Sequence, residues 1–189
     1  RRRKVFVIFT IFAILCFIPR VDADFTKSMI KKLSPHAGKL GATPEQKLVG
    51  QYIREHTKAS DTVLIWGFAT SIYVYADREA GSRFSWTDFL SGRIPGLPPW
   101  EERRRESTDY YILDECWDWF CQDLLRYQPV YFIDSSPGGH HEYGQYPITK
   151  KYSRYDLAGI VKEYYVFEKD IEGYHLYRRK KAIDLACGK

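Results

Sequence analysis

Thr62-Val-Leu-Ile-Trp-Gly67 is a run of strand length, apolar from Val63 to Trp66 and closed by a glycine. The segment that follows, Phe68-Ala-Thr-Ser-Ile-Tyr-Val-Tyr-Ala-Asp77, has helical spacing, with Ile72, Tyr75 and Ala76 on one face. Together they predict a buried strand, a tight turn at Gly67 and a helix packing back on the sheet. A strand buried on both faces needs helices over both faces, so this stretch predicts an α/β domain.

Upstream, Thr43-Pro44-Glu-Gln46 has the composition of a helix start: Thr43 as N-cap, Pro44 in the first turn and Gln46 three residues after the cap. Leu48, Val49, Tyr52 and Ile53 give that helix its apolar stripe, and Ala59-Ser-Asp61 turns the chain into the strand. Downstream, Ser82-Arg-Phe-Ser-Trp86 predicts a second short strand, and a Pro/Gly loop follows from Arg93 to Trp100. Ser107 or Thr108 is the expected cap of a long helix carrying Tyr111, Ile112, Cys116, Trp119, Phe120, Leu124 and Leu125, ending before Pro129. Its acids, Asp109, Asp114, Glu115, Asp118 and Asp123, are expected on a solvated face.

Val130-Tyr-Phe-Ile-Asp134 predicts another buried strand with an acid at its carboxyl end, followed by the polar loop Ser135 to Glu142. Ligands of open α/β sheets gather at the carboxyl ends of strands, where Gly67 and Asp134 are expected to lie. Ser153–Lys162 predicts a short helix. Glu163–Glu168 and Tyr174–Arg178 predict a hairpin around Asp170-Ile-Glu-Gly173, and Arg179–Lys189 a basic tail. The expected architecture is a small Rossmann-like three-layer α/β domain with a C-terminal hairpin, spanning residues 24–189.

Residues 1–23 differ in composition from the rest. Arg1-Arg-Arg-Lys4 precedes Val5–Ile18, which carries no charge, and then come Pro19, Arg20 and Val21-Asp-Ala23. A helix over that apolar run spans only about 21 Å, short of the usual membrane crossing. It therefore suits a signal peptide with a Val-Asp-Ala cleavage-like end. A short membrane helix obeying the positive-inside rule, extended by a snorkelling Arg20, suits it as well. Because the chain begins with Arg, the second alternative expects further sequence upstream. Both send residues 24–189 to the outer side of the membrane, with residues 5–18 contacting lipid in the second.

The whole chain carries a net charge of +5, and residues 1–23 account for +4 of it, leaving +1 for the remainder. A nearly neutral body argues against a phosphate-backbone partner, so nucleic acid is not expected. Among the four cysteines, Cys16 reads as a small hydrophobe, whereas Cys116 and Cys121, five apart on a helix, point in directions unsuited to pairing with each other. No cysteine or histidine spacing suggests zinc. Neither a GxGxxG nor a Gly-Lys-Ser/Thr phosphate loop follows the first strand, and no GxSxG elbow is present. His140-His141-Glu142 lacks HExxH spacing. No cofactor and no metal are expected.

The ordered segments Tyr52-Ile-Arg54, Asp61–Gly67, Ile72–Arg78, Ser82-Arg-Phe84, Pro129–Asp134, Tyr146-Pro-Ile148 and Tyr174–Arg179 resemble the C-terminal region of polytopic glycosyltransferases. These are C-superfamily enzymes of family 39 type, bacterial relatives of the dolichyl-phosphate-mannose–protein mannosyltransferases. The resemblance covers nearly the whole chain, with residues 5–18 similar to the family's last membrane helix. It implies a polyprenyl-phosphate sugar donor, transfer on the outer side of the cell membrane, and a catalytic acid in an upstream extracytoplasmic loop. No catalytic residue carries over to this stretch. The implied role is a lid or acceptor-side domain over a transmembrane catalytic domain of the same polypeptide. Candidate contacts with that domain or with a sugar are Trp66, Tyr73, Arg78, Ser82, Arg83 and Asp134, since aromatic faces stack on sugar rings and Arg pairs with phosphate. Structural roles are open for each: Trp66 and Tyr73 in the core, Arg83 tied to an acid such as Asp77, Asp134 capping its loop. The alternative function is a secreted or membrane-anchored glycan-binding module without an enzyme.

Overall fold

The computed structural model describes residues 42–92, 109–137 and 146–187, all within one unit, Ala42–Lys189. The expected membrane helix or signal peptide, the weak helical periodicity of Phe25–Leu33 that suggests a segment along the membrane surface or the domain flank, the loop 93–100, the caps Ser107 and Thr108, and His140-His141-Glu142 lie outside these residues. No helix among the described residues is long and apolar enough to cross a membrane.

Helix α1 (Pro44–His56) starts as its sequence dictates. Gln46 N–H donates to Thr43 Oγ1 at 3.3 Å, and Thr43 N–H donates back to Gln46 Oε1 at 3.3 Å, a reciprocal capping box. Strand β1 (Thr62–Trp66) follows, then α2 (Ser71–Ala76) and the two-residue strand β2 (Glu79–Ala80). Next come α3 (Asp88–Ser91), a 3-10 turn (Asp109–Tyr111), α4 (Asp114–Tyr127) and β3 (Tyr131–Asp134). Helix α5 (Leu157–Tyr164) leads directly into the hairpin β4 (Tyr165–Ile171) and β5 (Tyr174–Arg179).

The five strands form one mixed sheet in the order β2-β1-β3-β5-β4. Strand β1 is parallel to both neighbours, and the hairpin adds antiparallel to β3. Alternate residues of β1 and β3 serve two cores. Val63, Ile65, Tyr131 and Ile133, with Tyr174 and Leu176 of β5, pack under Val49, Ile53, Ile72 and Ala76 of α1 and α2. Leu64, Trp66 and Phe132 pack on the other face against Trp117, Phe120 and Leu124 of α4 and Ile160, Val161 and Tyr164 of α5. Burial on both faces explains why these two strands read as continuous apolar runs rather than alternating ones.

Several expectations are corrected. The second strand is Glu79–Ala80, not Ser82–Trp86. Gly81 sits so close to Pro129 that a Cβ there would lie 2.3 Å from its Cγ, and the chain leaves the sheet at that point. The long helix begins at Asp114, after the 3-10 turn that takes up Tyr111, and Leu113 at its N-cap supplies no side-chain bond. It ends as expected, with Gln128 left-handed at φ 48° before Pro129. Its acids are not all solvated, because Asp123 is 1% exposed. The helix expected at Ser153–Lys162 starts at Leu157, capped by the Asp156 carboxylate on Gly159 N–H at 3.0 Å. The strand expected at Glu163–Glu168 is Tyr165–Ile171.

The residues expected as a basic tail are tied to the domain. Arg179 belongs to β5, and Ile183 is buried. Gln128 bridges to Ile183 through both polar groups of its amide: Nε2 donates to Ile183 O at 2.9 Å and Oε1 accepts from Ile183 N–H at 2.8 Å. A disulfide joins Cys121 of α4 to Cys187 across 66 residues, and Cys116 is a buried free thiol.

Candidate functional site

Strand β2 lies on one side of β1 and β3 on the other, so the carboxyl ends of β1 and β3 flank a topological switch point, where open α/β sheets form a crevice. Here the chain fills it. Gly67 adopts φ 120°, and a Cβ at that position would stand 1.9 Å from Ser135 Oγ and 2.6 Å from Tyr146 Cε2. Ser135 bonds to the Trp66 carbonyl oxygen through both its backbone N–H, at 3.0 Å, and its hydroxyl, at 2.9 Å. The Trp66 indole donates to the Tyr146 carbonyl at 2.7 Å.

Strand pairing then sets up a polar row on the α4/α5 face. Trp66 pairs with Asp134, Asp134 with His175, and His175 with Asp170. Asp134 is 2% exposed. Its Oδ1 accepts from Ser136 N–H at 2.9 Å and from the Ser136 hydroxyl at 2.6 Å, so the carboxyl closes the first turn of its loop. Burial raises its pKa, while the Ser136 bonds and the nearby His175 pull the other way without cancelling the rise. On the far side, His175 Nε2 stands 3.0 Å from Asp170 Oδ2, whose partner oxygen accepts from Gly173 N–H in the hairpin turn. Sequence reading reached Asp134 but not His175 or Asp170. The signal was available: a tight turn at Glu172-Gly173 puts residues 170 and 175 opposite each other.

The next row along this face is aromatic. Phe132 pairs with Tyr177 and Tyr177 with Phe167. The Phe167 ring meets Tyr177 edge-on at 5.6 Å between centroids and His175 at 5.5 Å. Phe167 is 52% exposed. An open groove of about 360 Å³ is lined by Tyr165, Phe167 and Tyr177 of the hairpin, Val161 and Lys162 of α5, and Ile148.

The six residues singled out in the sequence do not converge. Trp66 and Asp134 sit together at the carboxyl end of the sheet, and Trp66 is 1% exposed, its ring packed against Trp117, Phe120 and Tyr152. The Tyr73 hydroxyl accepts from Ile65 N–H at 3.1 Å, and burial pushes that phenol up to about 12. Arg78 lies at the opposite end of the sheet. It donates to Thr57 Oγ1, to the carbonyls of Thr57 and Arg54, and to Asp77 O, satisfying the C-terminal carbonyls of α1 with a cation.

Ser82 and Arg83 converge on Asp123 rather than on Asp77. Asp123 accepts from the Ser82 hydroxyl, from Arg83 N–H and from the Arg83 guanidinium. Asp77 is the left-handed cap of α2. A further cluster that the sequence did not suggest ties the hairpin to α1 and β3. Glu168 Oε1 accepts from Tyr52 at 2.8 Å and Tyr131 at 2.6 Å, with Arg178 3.6 Å from Oε2.

No group of three or more His, Cys, Asp or Glu that could hold a metal occurs among the described residues. Compared with protein-family models, curated proteins and solved structures, the chain has no match in any of the three.

Proposed function

We infer that residues 24–189 form the extracytoplasmic domain of a membrane glycosyltransferase that moves a sugar from a polyprenyl-phosphate donor to a protein, lipid or glycan acceptor. In this reading the domain is a small Rossmann-like module acting as a lid or acceptor-side wall. The reacting groups then belong to a membrane-embedded region of the same polypeptide. The motif order noted in the sequence supports the family, and the uncharged run Val5–Ile18 behind four basic residues supports the anchor.

The observation that carries the location is the Cys121–Cys187 disulfide, since disulfides persist mainly in oxidising compartments outside the cytosol. The packing fits a non-catalytic role. The switch-point crevice is filled by Ser135 and Tyr146, and Asp123 and Glu168 both accept from structural donors.

The test uses the complete reading frame in native membranes with a polyprenyl-phosphate sugar. Transfer by the complete protein, lost when residues 24–189 are deleted and not shown by the 189-residue chain alone, supports the reading. Sugar transfer by the isolated chain overturns it. So does a free thiol at Cys121 and Cys187 in protein taken from intact cells under alkylating conditions.

A further inference from the structure

We propose that the domain rests on the bilayer surface through the carboxyl end of its sheet, with Trp86, Phe89 and Leu113 reaching into the boundary between headgroups and acyl chains. The inference rests on the membrane attachment through Val5–Ile18 in the reading above and is independent of any sugar chemistry.

Exposed large apolar side chains gather at that end. Phe68 directly follows Gly67 at the close of β1, and its ring lies 4.7 Å, centroid to centroid, from that of Trp86. Phe89 stands on α3, and its carbonyl accepts from Leu113 N–H at 3.3 Å. The next carbonyl, that of Leu90, accepts from the Trp117 indole at 3.0 Å, and the Trp117 ring meets Trp66, the last residue of β1. Helix α4 runs from Leu113 back to the amino end of β3, so its start belongs to the carboxyl end. Phe89 is 50% exposed, Trp86 45% and Leu113 44%, and Tyr111 is exposed on the 3-10 turn that packs against α3. Apolar side chains scattered singly over a surface need no partner, whereas several on adjoining elements mark a contact surface.

Two observations select lipid as the other side of that contact. The first is where the rest of the chain joins. Ser71, at the start of α2, donates to Gln46 Oε1, and Gln46 belongs to the capping box that opens α1. The chain therefore enters the domain at this same end. Upstream of the entry lies the uncharged run Val5–Ile18 behind four basic residues, so a bilayer holding that run is tethered to the aromatic end and not to the end bearing Lys58 and Tyr127. The second is the kind of side chain. Trp and Tyr, with one part apolar and one polar, are the residues that collect at membrane–water interfaces. Charge then says how the surface binds. Asp114 and Glu115 are exposed beside Leu113, and Arg83 is tied to Asp123, so apolar insertion holds this end rather than attraction to anionic headgroups.

The experiment places the full 189-residue chain, uniformly nitrogen-labelled for NMR, in phosphatidylcholine nanodiscs containing lipid with a nitroxide near the top of its acyl chain. The amides of Phe68, Phe89 and Leu113 and the Trp86 indole N–H should lose most of their intensity, while the amides of Lys58 and Tyr127 keep theirs. Trp86→Ser combined with Phe89→Ser should restore the Phe68 and Leu113 signals. Equal or greater loss at Lys58 and Tyr127 overturns the proposal, and so does a loss at Phe68 and Leu113 that the double variant leaves in place. Loss seen only after phosphatidylglycerol is added overturns apolar insertion. Ring contacts at Trp86 and Phe89 between differently labelled copies give the patch to a second copy and overturn the lipid assignment. A chain that enters the nanodiscs with its Phe68 and Leu113 signals intact overturns this inference alone. One that does not enter them overturns the anchor, and this inference with it.

Discussion

The guanidinium of Arg83 closes on the buried carboxylate of Asp123 through two nitrogens, Nε 3.0 Å from Oδ2 and Nη2 3.0 Å from Oδ1. The Arg83 backbone N–H and the Ser82 hydroxyl complete the shell. This fastens the segment leaving β2 onto the last turns of α4, and the same guanidinium lies over the Trp119 ring. The hydrogen bonds it donates to Asp123 hold the Arg83 guanidinium pKa above its ordinary value.

Asp123→Ala strips the acceptor from four donors at once, one of them, the Ser82 hydroxyl, in a buried bond. It should lower unfolding stability by about 2–3 kcal/mol, read as a shift of the urea midpoint. Arg83→Ala should also destabilise, by leaving the carboxylate without its cation. Asp77→Asn should leave the midpoint where it is, since Asp77 is not the partner of Arg83. An unshifted midpoint for Asp123→Ala would contradict the assigned clasp.

Gly67 is held at φ 120° with Ser135 and Tyr146 pressed against its Cα. Gly67→Ala adds both backbone strain and a methyl group where atoms already stand. A loss of about 3 kcal/mol or more is expected. Circular dichroism melts of the purified variant check this, and a wild-type melting temperature would mean that the crevice is looser than described.

The disulfide closes a loop of 66 residues, which on the chain-entropy account contributes about 4 kcal/mol. Reduction, or Cys187→Ser, should therefore lower the urea midpoint and release the end of the chain from α4. Cys116 offers an internal control. Burial raises its thiol pKa, so in native protein it should resist alkylation while reduced Cys187 reacts. Rapid labelling of Cys116 before unfolding would refute its placement in the core.

The parts of this fold that were legible in the sequence are those specified locally. The Thr43/Gln46 capping box, the runs Val63–Trp66 and Tyr131–Asp134, and the Glu172-Gly173 turn each carry their cause within a few residues. Asp123 was not legible, because a helix periodicity that leaves it among other acids says nothing of the distant Arg83 that folds over it. Glu79–Ala80 was missed for a related reason. Its pairing is a main-chain contact with Thr62 and Val63, and its side chains follow no strand pattern. Ser82–Trp86 has strand-like composition, but it is recruited by a carboxylate instead of a ladder. Cys187 and Ile183 looked like part of a basic tail because the groups that hold them, Cys121 and Gln128, sit on a helix more than fifty residues away.

Two acids of the sheet should respond to pH in opposite directions. Asp134 is raised above 3.8, chiefly by burial, so the folded chain keeps that proton where the unfolded chain has released it. Its contribution to stability is present at low pH and is lost as pH rises through the folded value. For Glu168, burial alone would also raise the pKa. The bonds from Tyr131 and Tyr52 and the charge of Arg178 together outweigh it, and the net shift is below 4.5. Its contribution is therefore present at neutral pH and is lost as pH falls through a folded value below 4.5. Asp134→Asn retains an oxygen for Ser136 and removes the buried charge, so it should be at least as stable as wild type at pH 7, with any advantage fading on acidification. Glu168→Gln should be less stable than wild type at pH 7, and that deficit should close in acid. Urea midpoints of the three proteins across the acid range decide the matter: a deficit for Glu168→Gln that persists undiminished to the lowest pH, or a neutral-pH loss in Asp134→Asn, would place the charges differently from the arrangement described.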